Sequence, residues 1–325
     1  MSKENLKVSV CVVTYNQEKF IRQCLQSVVE QETDFDFEVI VGDDCSTDGT
    51  REIIQEFAEK YPCMVKPVFQ EKNIGPTPNY FSVHSLAKGE YIAHLDGDDY
   101  MLPSKLQVQK EVLDKNPDCA MCTHNMLFSE GSQEINERWY KIAEGKKDLN
   151  FFALNMPFFF HSSIMYVKDK AKLLKDIKEG MHIKEGMLVL DVELEAGLLR
   201  NGPDYHLART LGVYRVCVGI STQNNFKDVS IKNNLMLLDS LKDILKIGVI
   251  EKARAKKLAE FSYQYLIEGE LDKYRSNIRS SVASKVYGVQ QILLYIFSSL
   301  PKIAYMLVQF RIGIKWLLNK ARLLP

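Results

Sequence analysis

Several things are scarce in these 325 residues, beginning with net charge: 42 Lys and Arg stand against 42 Asp and Glu. Without a basic excess there is no electrostatic case for a nucleic-acid partner. The seven cysteines (11, 24, 45, 63, 119, 122 and 217) are scattered and odd in number. Cys119 and Cys122 form a lone C-x-x-C with no second pair and no H-x-x-x-H, so zinc is not expected and free thiols in a reducing cytoplasm fit better. Glycine-rich phosphate cradles are missing in both common forms, G-x-x-x-x-G-K-[ST] and G-x-G-x-x-G, which sets aside ATP hydrolysis and dinucleotide redox chemistry. Long apolar runs are missing too. The charge-free stretch Val286 to Pro301 has 16 residues and includes Gln290, Gln291, Ser298 and Ser299, whereas a spanning helix needs about 20 apolar residues. "MSKENLKVSV" holds lysines but no apolar core, so no secretory leader is expected.

What is present in the first half is an alternation of strand and helix. "VSVCVVTYN" (Val8 to Asn16) is β-branched and continuously apolar, as a strand covered on both faces must be. "EKFIRQCLQSVVEQ" then spaces Phe20, Ile21, Cys24, Leu25 and Val28 as one face of a helix. "FEVIVGDDCSTDGT" reads as a second strand and a turn, with Ser46 or Thr47 able to cap the next helix. That helix, "TREIIQEFAEKYP", stops at Pro62. "MVKPVFQ" reads as a third strand, with Pro67 confining it to a sheet edge. "NIGPTPNY" is a loop, "YFSVHSLAKG" a helix closed by Gly89, and "EYIAHLD" a fourth strand. Such alternation predicts an α/β fold with a mostly parallel sheet flanked by helices.

Ligands of open α/β sheets bind beyond the carboxyl ends of the strands. Thr14-Tyr15-Asn16, Asp43-Asp44 and Asp96-Gly97-Asp98-Asp99 each follow a strand at that end. A single acidic turn is ordinarily only a turn, but three polar groups converging on one edge are not so easily dismissed. Clustered carboxylates repel unless a cation or bound donors compensate. A hard, oxygen-liganded cation, Mn²⁺ or Mg²⁺, suits them, and such ions arrive bridging phosphates.

The segments "VSVCVVTYNQEKFIRQCLQSVVEQ", "EVIVGDDCSTDGT", "NIGPTPNY" and "GEYIAHLDGDDYMLPSKL" together resemble the family 2 glycosyltransferases of GT-A fold, in order and in spacing. The resemblance is dense over about residues 7 to 125 and thinner to about 222. It implies a nucleotide-diphosphate sugar donor of UDP type, a divalent metal, and inverting transfer to an acceptor hydroxyl. On that resemblance Thr14, Tyr15 and Asn16 border the nucleobase, and Asp44 hydrogen-bonds it. Asp96 lies near the ribose and Asp98 on the metal, with Asp99 behind them. Asn73, Gly75 and Asn79 match the loop between nucleotide and sugar, although Pro78 replaces the Arg or small residue often found there. His161 and Ser162-Ser163 match a region near sugar or acceptor.

An inverting transferase also needs a base opposite the leaving group. "LVLDVELEAGLLRNG" opens a helix with Asp191, Glu193 and Glu195, where acidic residues also simply suit the macrodipole. Asp191 aligns with the family's base and is preferred over Glu193, although Leu190 and Val192 depart from the usual neighbours. "YRVCVGIST" resembles the family's Tyr-Arg-x-His segment, which brings in Arg215 and puts Cys217 where His is common. Cys217 reads at least as well as a small buried apolar residue. His94 shares a strand face with Asp96, where a packed or capping role is the default, and Phe158-Phe159-Phe160 reads as core before acceptor wall.

From about Phe226 strand signals give way to helix, so the expected division is a transferase domain over 1–225 and a helical region over 226–325. Residues 285–325 carry Lys285, Lys302, Arg311, Lys315, Lys320 and Arg322 and no acid. Basic, aromatic and apolar residues together describe an interfacial helix on anionic lipid, against the plainer reading of a helical pair packed on the protein. The former suits a lipid-linked saccharide acceptor in bacterial surface-polysaccharide synthesis, at the inner face of the membrane. Two other classes remain open. A metal-dependent nucleotidyltransferase would carry a glycine-rich basic N-terminal loop, which Val13 to Asn16 is not. A noncatalytic nucleotide-sugar-binding protein would have lost the carboxylates, which are intact.

Overall fold

The computed structural model describes residues 6–130, 133–135, 142–171, 191–216 and 226–321. It forms two compact units, one of residues 1–152 and 156–224 and one of 153–155 and 225–325.

The first unit is built on one mixed sheet. Strands β1 (Leu6–Thr14), β2 (Asp36–Asp43), β3 (Val65–Phe69) and β4 (Tyr91–Asp96) alternate with helices α1 (Ile21–Val29), α2 (Thr50–Lys60) and α3 (Pro76–Ser85). The order is β3-β2-β1-β4, all parallel. Beyond β4 the sheet continues through β9 (Met165–Val167), β6 (Met121–Glu130), β10 (Asp204–Arg215) and β5 (Tyr100–Met101). β9 is antiparallel to both its neighbours, β6 and β10 are parallel, and β5 is antiparallel to β10. Short β7 (Gln133–Ile135) and β8 (Gly145–Lys147) pair with β6 and β10. Val8, Val10, Val12, Val39 and Val41 are fully buried with Ile21, Leu25 and Ile54, as continuous β-branched runs between two helical layers require.

Three boundaries differ from the sequence expectation for identifiable reasons. α3 begins at Pro76 because proline at the first turn gives up only an N–H that has no intrahelical partner. Gly89 does not close that helix, which ends at Ser85. A Cβ there would lie 2.6 Å from the Ser9 nitrogen, so Gly89 is fixed by close backbone approach. Neither Ser46 nor Thr47 caps α2. Asp48 Oδ1 accepts from the Thr50 N–H at 3.1 Å and the Thr50 hydroxyl at 2.6 Å, while Ser46 donates to Asp43. Pro67 lies in the edge strand, as expected, and Phe158 and Phe159 are core. Among the described residues the other α-helices of this unit are α4 (Lys105–Lys115), α5 (Leu149–Asn155, its last three residues counted with the second unit) and α6 (Asp191–Leu199).

The second unit is helical: α7 (Phe226–Ser240), α8 (Ile247–Glu268), α9 (Leu271–Ser284), α10 (Val289–Phe297) and α11 (Pro301–Ala321). Ala259, Tyr265, Leu266, Tyr274, Ile278 and Ala304 form its core. α10 is tied inward by polar groups. Gln291, fully buried, donates to Ser281 Oγ and the Lys285 carbonyl, both at 2.8 Å, and Tyr274 donates to the Leu294 carbonyl at 2.6 Å. Leu294 packs on the core, while most apolar side chains of α10 face out, with Val289 71% exposed and Leu293 and Ile296 exposed too. On α11 the same holds for Ile303, Met306, Leu307 and Phe310, the last 70% exposed. Among the described residues no helix is long and apolar enough to cross a membrane.

Candidate active site

Parallel pairing brings the ends of β1, β2 and β4 side by side. Thr14 pairs with Asp43 and Val13 with Asp96, and the Gly97 N–H donates to the Val13 carbonyl at 2.9 Å. A Cβ on Gly97 would meet Gln17 Oε1 at 2.5 Å and Thr14 Cβ at 2.8 Å. The acidic turn therefore needs glycine between its carboxylates in order to lie against β1.

Asp96, Asp98 and Asp99 differ in their surroundings. Asp96 Oδ1 accepts from His94 Nε2 at 3.2 Å and Oδ2 from the Ser162 hydroxyl at 3.2 Å. Burial opposes its ionisation, but His94, His161 and Ser162 outweigh this and hold it below the usual carboxylate range. Burial, and then the Asp96 charge, push Asp98 up to about 7. Asp99 is fully buried. Its Oδ1 accepts from the Arg215 N–H at 2.9 Å, and burial with Asp98 and Asp96 raises it well above its ordinary value. Asp99 Oδ2 has no hydrogen-bond partner among the described residues. Three carboxylates in one turn, two of them pushed toward neutrality, form a site with an excess of acceptor oxygens. That excess fits a hard divalent cation. Among the described residues no group of three or more His, Cys, Asp or Glu side chains is placed to hold a metal ion by itself.

Arg215 fastens this turn from the far end of β10. Its guanidinium donates to the Asp98 carbonyl and to Gln23 Oε1, and stands 5.0 Å over the rings of Phe20 and Tyr100. As placed, Arg215 shapes the turn from beneath, whereas the sequence grouped it with the sugar and acceptor candidates.

Asp44, at the end of β2, accepts from the Ile74 and Gly75 N–H groups at 2.7 and 2.9 Å. It thereby pins the loop that carries Asn73, which is exposed. Burial raises its carboxyl above the ordinary value despite those two donors. Thr14 is buried and donates to Gln17 at 2.7 Å; Tyr15 is exposed. Asn16 has a left-handed backbone, φ 52°, and its amide oxygen accepts from the Thr47 N–H at 2.8 Å. Asn79 is not brought to the site. It is buried, donates to the Gly42 carbonyl at 2.9 Å, and locks α3 onto β2.

Asp191 is exposed at the start of α6 and Glu193 is half-buried. The Asp191 charge reaches the buried pair His161 and Glu195, whose Nδ1 and Oε1 lie 3.4 Å apart. Burial alone would lower His161; Asp191 and Glu195 override it and raise the imidazole to about 9. Burial raises Glu195 to about 7 against the pull of His161. His161 is also 4.3 Å, centroid to centroid, from the His94 ring, so the candidate base and the acidic turn belong to one electrostatic cluster. Cys217 lies outside the described residues.

Sequence reasoning did not find Gln17, Gln23, Tyr80, His84 or Tyr166. Their spacing carries no motif, and only the folded register brings them to the site.

A mostly parallel sheet with acidic turns at its carboxyl edge defines a GT-A-like α/β fold. The profile of Glycosyl transferase family 2 matches residues 9–174, and the chain belongs to that family. It is 40% identical over 150 residues to an uncharacterized protein of Mycobacterium tuberculosis, covering 45% of this chain and 42% of that one. It is 31% identical over 116 residues to the abequosyltransferase RfbV of Salmonella typhimurium, covering 35% of each. The chain thus spans under half the length of these curated relatives. Among solved structures, S. aureus TarS 1-349 in complex with UDP-GlcNAc superposes with a TM-score of 0.66 at 21% identity, covering 95% of this chain and 92% of that one. The mannosyltransferase PcManGT of Pyrobaculum calidifontis, in complex with GDP-Man and Mn²⁺, gives 0.56 at 14% identity, covering 93% and 86%.

Proposed function

We propose that this chain transfers a sugar from a nucleotide-diphosphate donor of UDP type to the hydroxyl of a saccharide or lipid-linked saccharide, with inversion, in cell-surface polysaccharide synthesis. The observation that carries the reading is the acidic turn, buried and over-supplied with carboxylate at the carboxyl edge of a family 2 sheet. Asp98, with Asp96, would hold Mn²⁺ or Mg²⁺, and that ion would supply Lewis acidity to the departing diphosphate, worth several kcal/mol. Asp96 also borders the ribose, while Thr14, Tyr15, Asn16, Asp44 and Asn73 receive the base and ribose from the β1, β2 and α3 sides. Asp191, exposed and within electrostatic reach of the turn, takes the acceptor proton; this step is worth about 10²- to 10⁴-fold. His161 and Glu193 line the acceptor side.

Residues 1–225 carry this chemistry, and residues 226–325 supply a membrane-facing element at the inner face of the cell membrane. The arrangement of α10 and α11 supports the second part, since their buried contacts include Gln291 and Ser298 while Val289, Ile296 and Phe310 face water. The test is donor hydrolysis over a panel of UDP-, GDP- and dTDP-sugars, with Mn²⁺, with Mg²⁺ and with chelator. Cation-dependent hydrolysis of a UDP-sugar is the expected result. Nucleotide binding without turnover of any donor would replace the reading with that of a noncatalytic sugar-nucleotide binder.

A further inference from the structure

Behind Asp96 stands a row of buried side chains that the chemistry above does not use. Tyr166 Oη lies 2.8 Å from His84 Nδ1, His84 Nε2 lies 3.0 Å from His94 Nδ1, and His94 Nε2 lies 3.2 Å from Asp96 Oδ1. All three donors to this row are buried. The His84 ring is held flat against Tyr80, with centroids 3.7 Å apart and planes 21° from parallel. The row crosses three elements, from β9 through α3 to β4, and ends on a carboxylate at the edge of the site.

The direction of every bond in the row follows from counting protons. In its neutral form each imidazole carries one N–H and one lone pair. An ionised Asp96 only accepts, which puts the His94 proton on Nε2 and leaves Nδ1 as an acceptor. His84 must then donate from its own Nε2, leaving its Nδ1 to accept from the Tyr166 hydroxyl. Reversing one bond would set two donors or two lone pairs against each other somewhere along the row, deep in the protein, where an unmade hydrogen bond is costly.

We propose that Tyr166, His84 and His94 form a positioning relay that turns and fixes the Asp96 carboxylate for the donor nucleotide and its cation. Ser162 holds the other oxygen, so the two contacts together set the rotation of the group. The turn has particular need of this. Asp98 and Asp99 follow within three residues and repel Asp96, and an unrestrained carboxylate there would swing toward solvent. The inference rests on the reading of Asp96 as a donor-site residue, and its test separates the two.

The relay is read first without any ligand. Long-range ¹H–¹⁵N spectra of the histidine-labelled, cation-free protein should show His84 and His94 both as the Nε2–H tautomer, each assigned by the peak lost in His84→Gln or His94→Gln. An Nδ1–H tautomer at either position overturns the relay, whatever the protein binds. The consequence is then read by calorimetry with UDP and Mn²⁺. His84→Phe keeps the stack on Tyr80 but has no donor, whereas His84→Gln retains an amide donor near the position of Nε2. Loss of a supporting partner behind a metal-site ligand typically costs about 10- to 100-fold in affinity, so the Phe variant should weaken UDP–Mn²⁺ binding in that range and the Gln variant should stay near wild type. In transfer assays the defect should fall on KM for the donor more than on kcat. Equal binding by the two variants, with matching thermal melts, would reduce the row to packing. If wild type binds no nucleotide from the donor panel while both tautomers are as expected, the relay stands and the donor reading fails.

Discussion

Replacing Asp98 with Asn should make the cation-free protein more stable while abolishing transfer. Asn has nearly the same shape and no charge. Asp98 is pushed from an ordinary 3.8 to about 7 by burial and by Asp96, so its ionised form is disfavoured in the folded state and not in the unfolded one. The sign follows from linkage. Below about pH 4 both states hold the proton and Asp98 costs nothing; between there and about pH 7 only the folded state still holds it, and stability falls as pH rises. Above that the penalty is constant. About three decades of proton activity at about 1.4 kcal/mol each give about 4 kcal/mol. This is an upper limit because Asp96 and Asp99 redistribute charge with Asp98. At about 2–4 °C per kcal/mol for a unit of this size, the variant should melt up to about 16 °C higher. The assay is thermal unfolding in chelator across the acid-to-neutral range. The gain should be absent in acid, grow to neutrality and then level off. Mn²⁺ with UDP should raise the melting point of wild type and leave that of the variant unmoved. An Asn variant that melts at or below wild type in mildly alkaline chelator would refute the argument that this turn stores unfavourable charge.

Asp191→Asn should retain UDP–Mn²⁺ binding and lose turnover, whereas Glu193→Gln should remain active; the reverse pattern would move the base two residues along α6. Lys105 is fully buried, its amine has no partner among the described residues, and burial lowers it from 10.5 to about 7. Lys105→Met should therefore stabilise the protein most below neutrality, with the gain fading as pH climbs toward the unfolded lysine's value; denaturant melts at several pH values check this. Ile296→Ser combined with Phe310→Ser changes two exposed positions and no core contact. It should reduce sedimentation with anionic vesicles without moving the melting point, and unchanged sedimentation would count against α10 and α11 as the lipid-facing element.

The parallel half of the fold was legible because its signals are local. Apolar runs gave β1, β2 and β4, Pro67 gave the edge, and the turn residues after each strand placed the acidic groups together. Asp96 and Asp98 could be singled out because one tetrapeptide holds their whole arrangement. Arg215 could not be placed, since its role depends on β10 pairing with β5 and bringing it beneath a turn more than a hundred residues earlier. His84 and His94 sit ten residues apart on a helix and a strand, and neither spacing nor composition says that their rings touch. Asn79 read as a site residue because it lies in the right loop by sequence. In the fold α3 already starts at Pro76, and the Asn79 amide donates to the Gly42 carbonyl of β2. Gln291 and Ser298 interrupt the apolar run, and their inward direction is a matter of packing that a hydropathy pattern does not reveal.

That inward direction has a consequence for how the helical unit would meet a lipid surface. Segments that fold as they land must lose their chain entropy on arrival, which weakens their hold and couples attachment to refolding. Here α10 is already fastened through Gln291 and Tyr274, and most of its apolar side chains stand outward before any lipid is present. Attachment would then work like a printing plate brought to paper, with the pattern set in advance and unaltered by contact. The unit could leave the surface when salt screens its cations and return later with no step of unfolding in between.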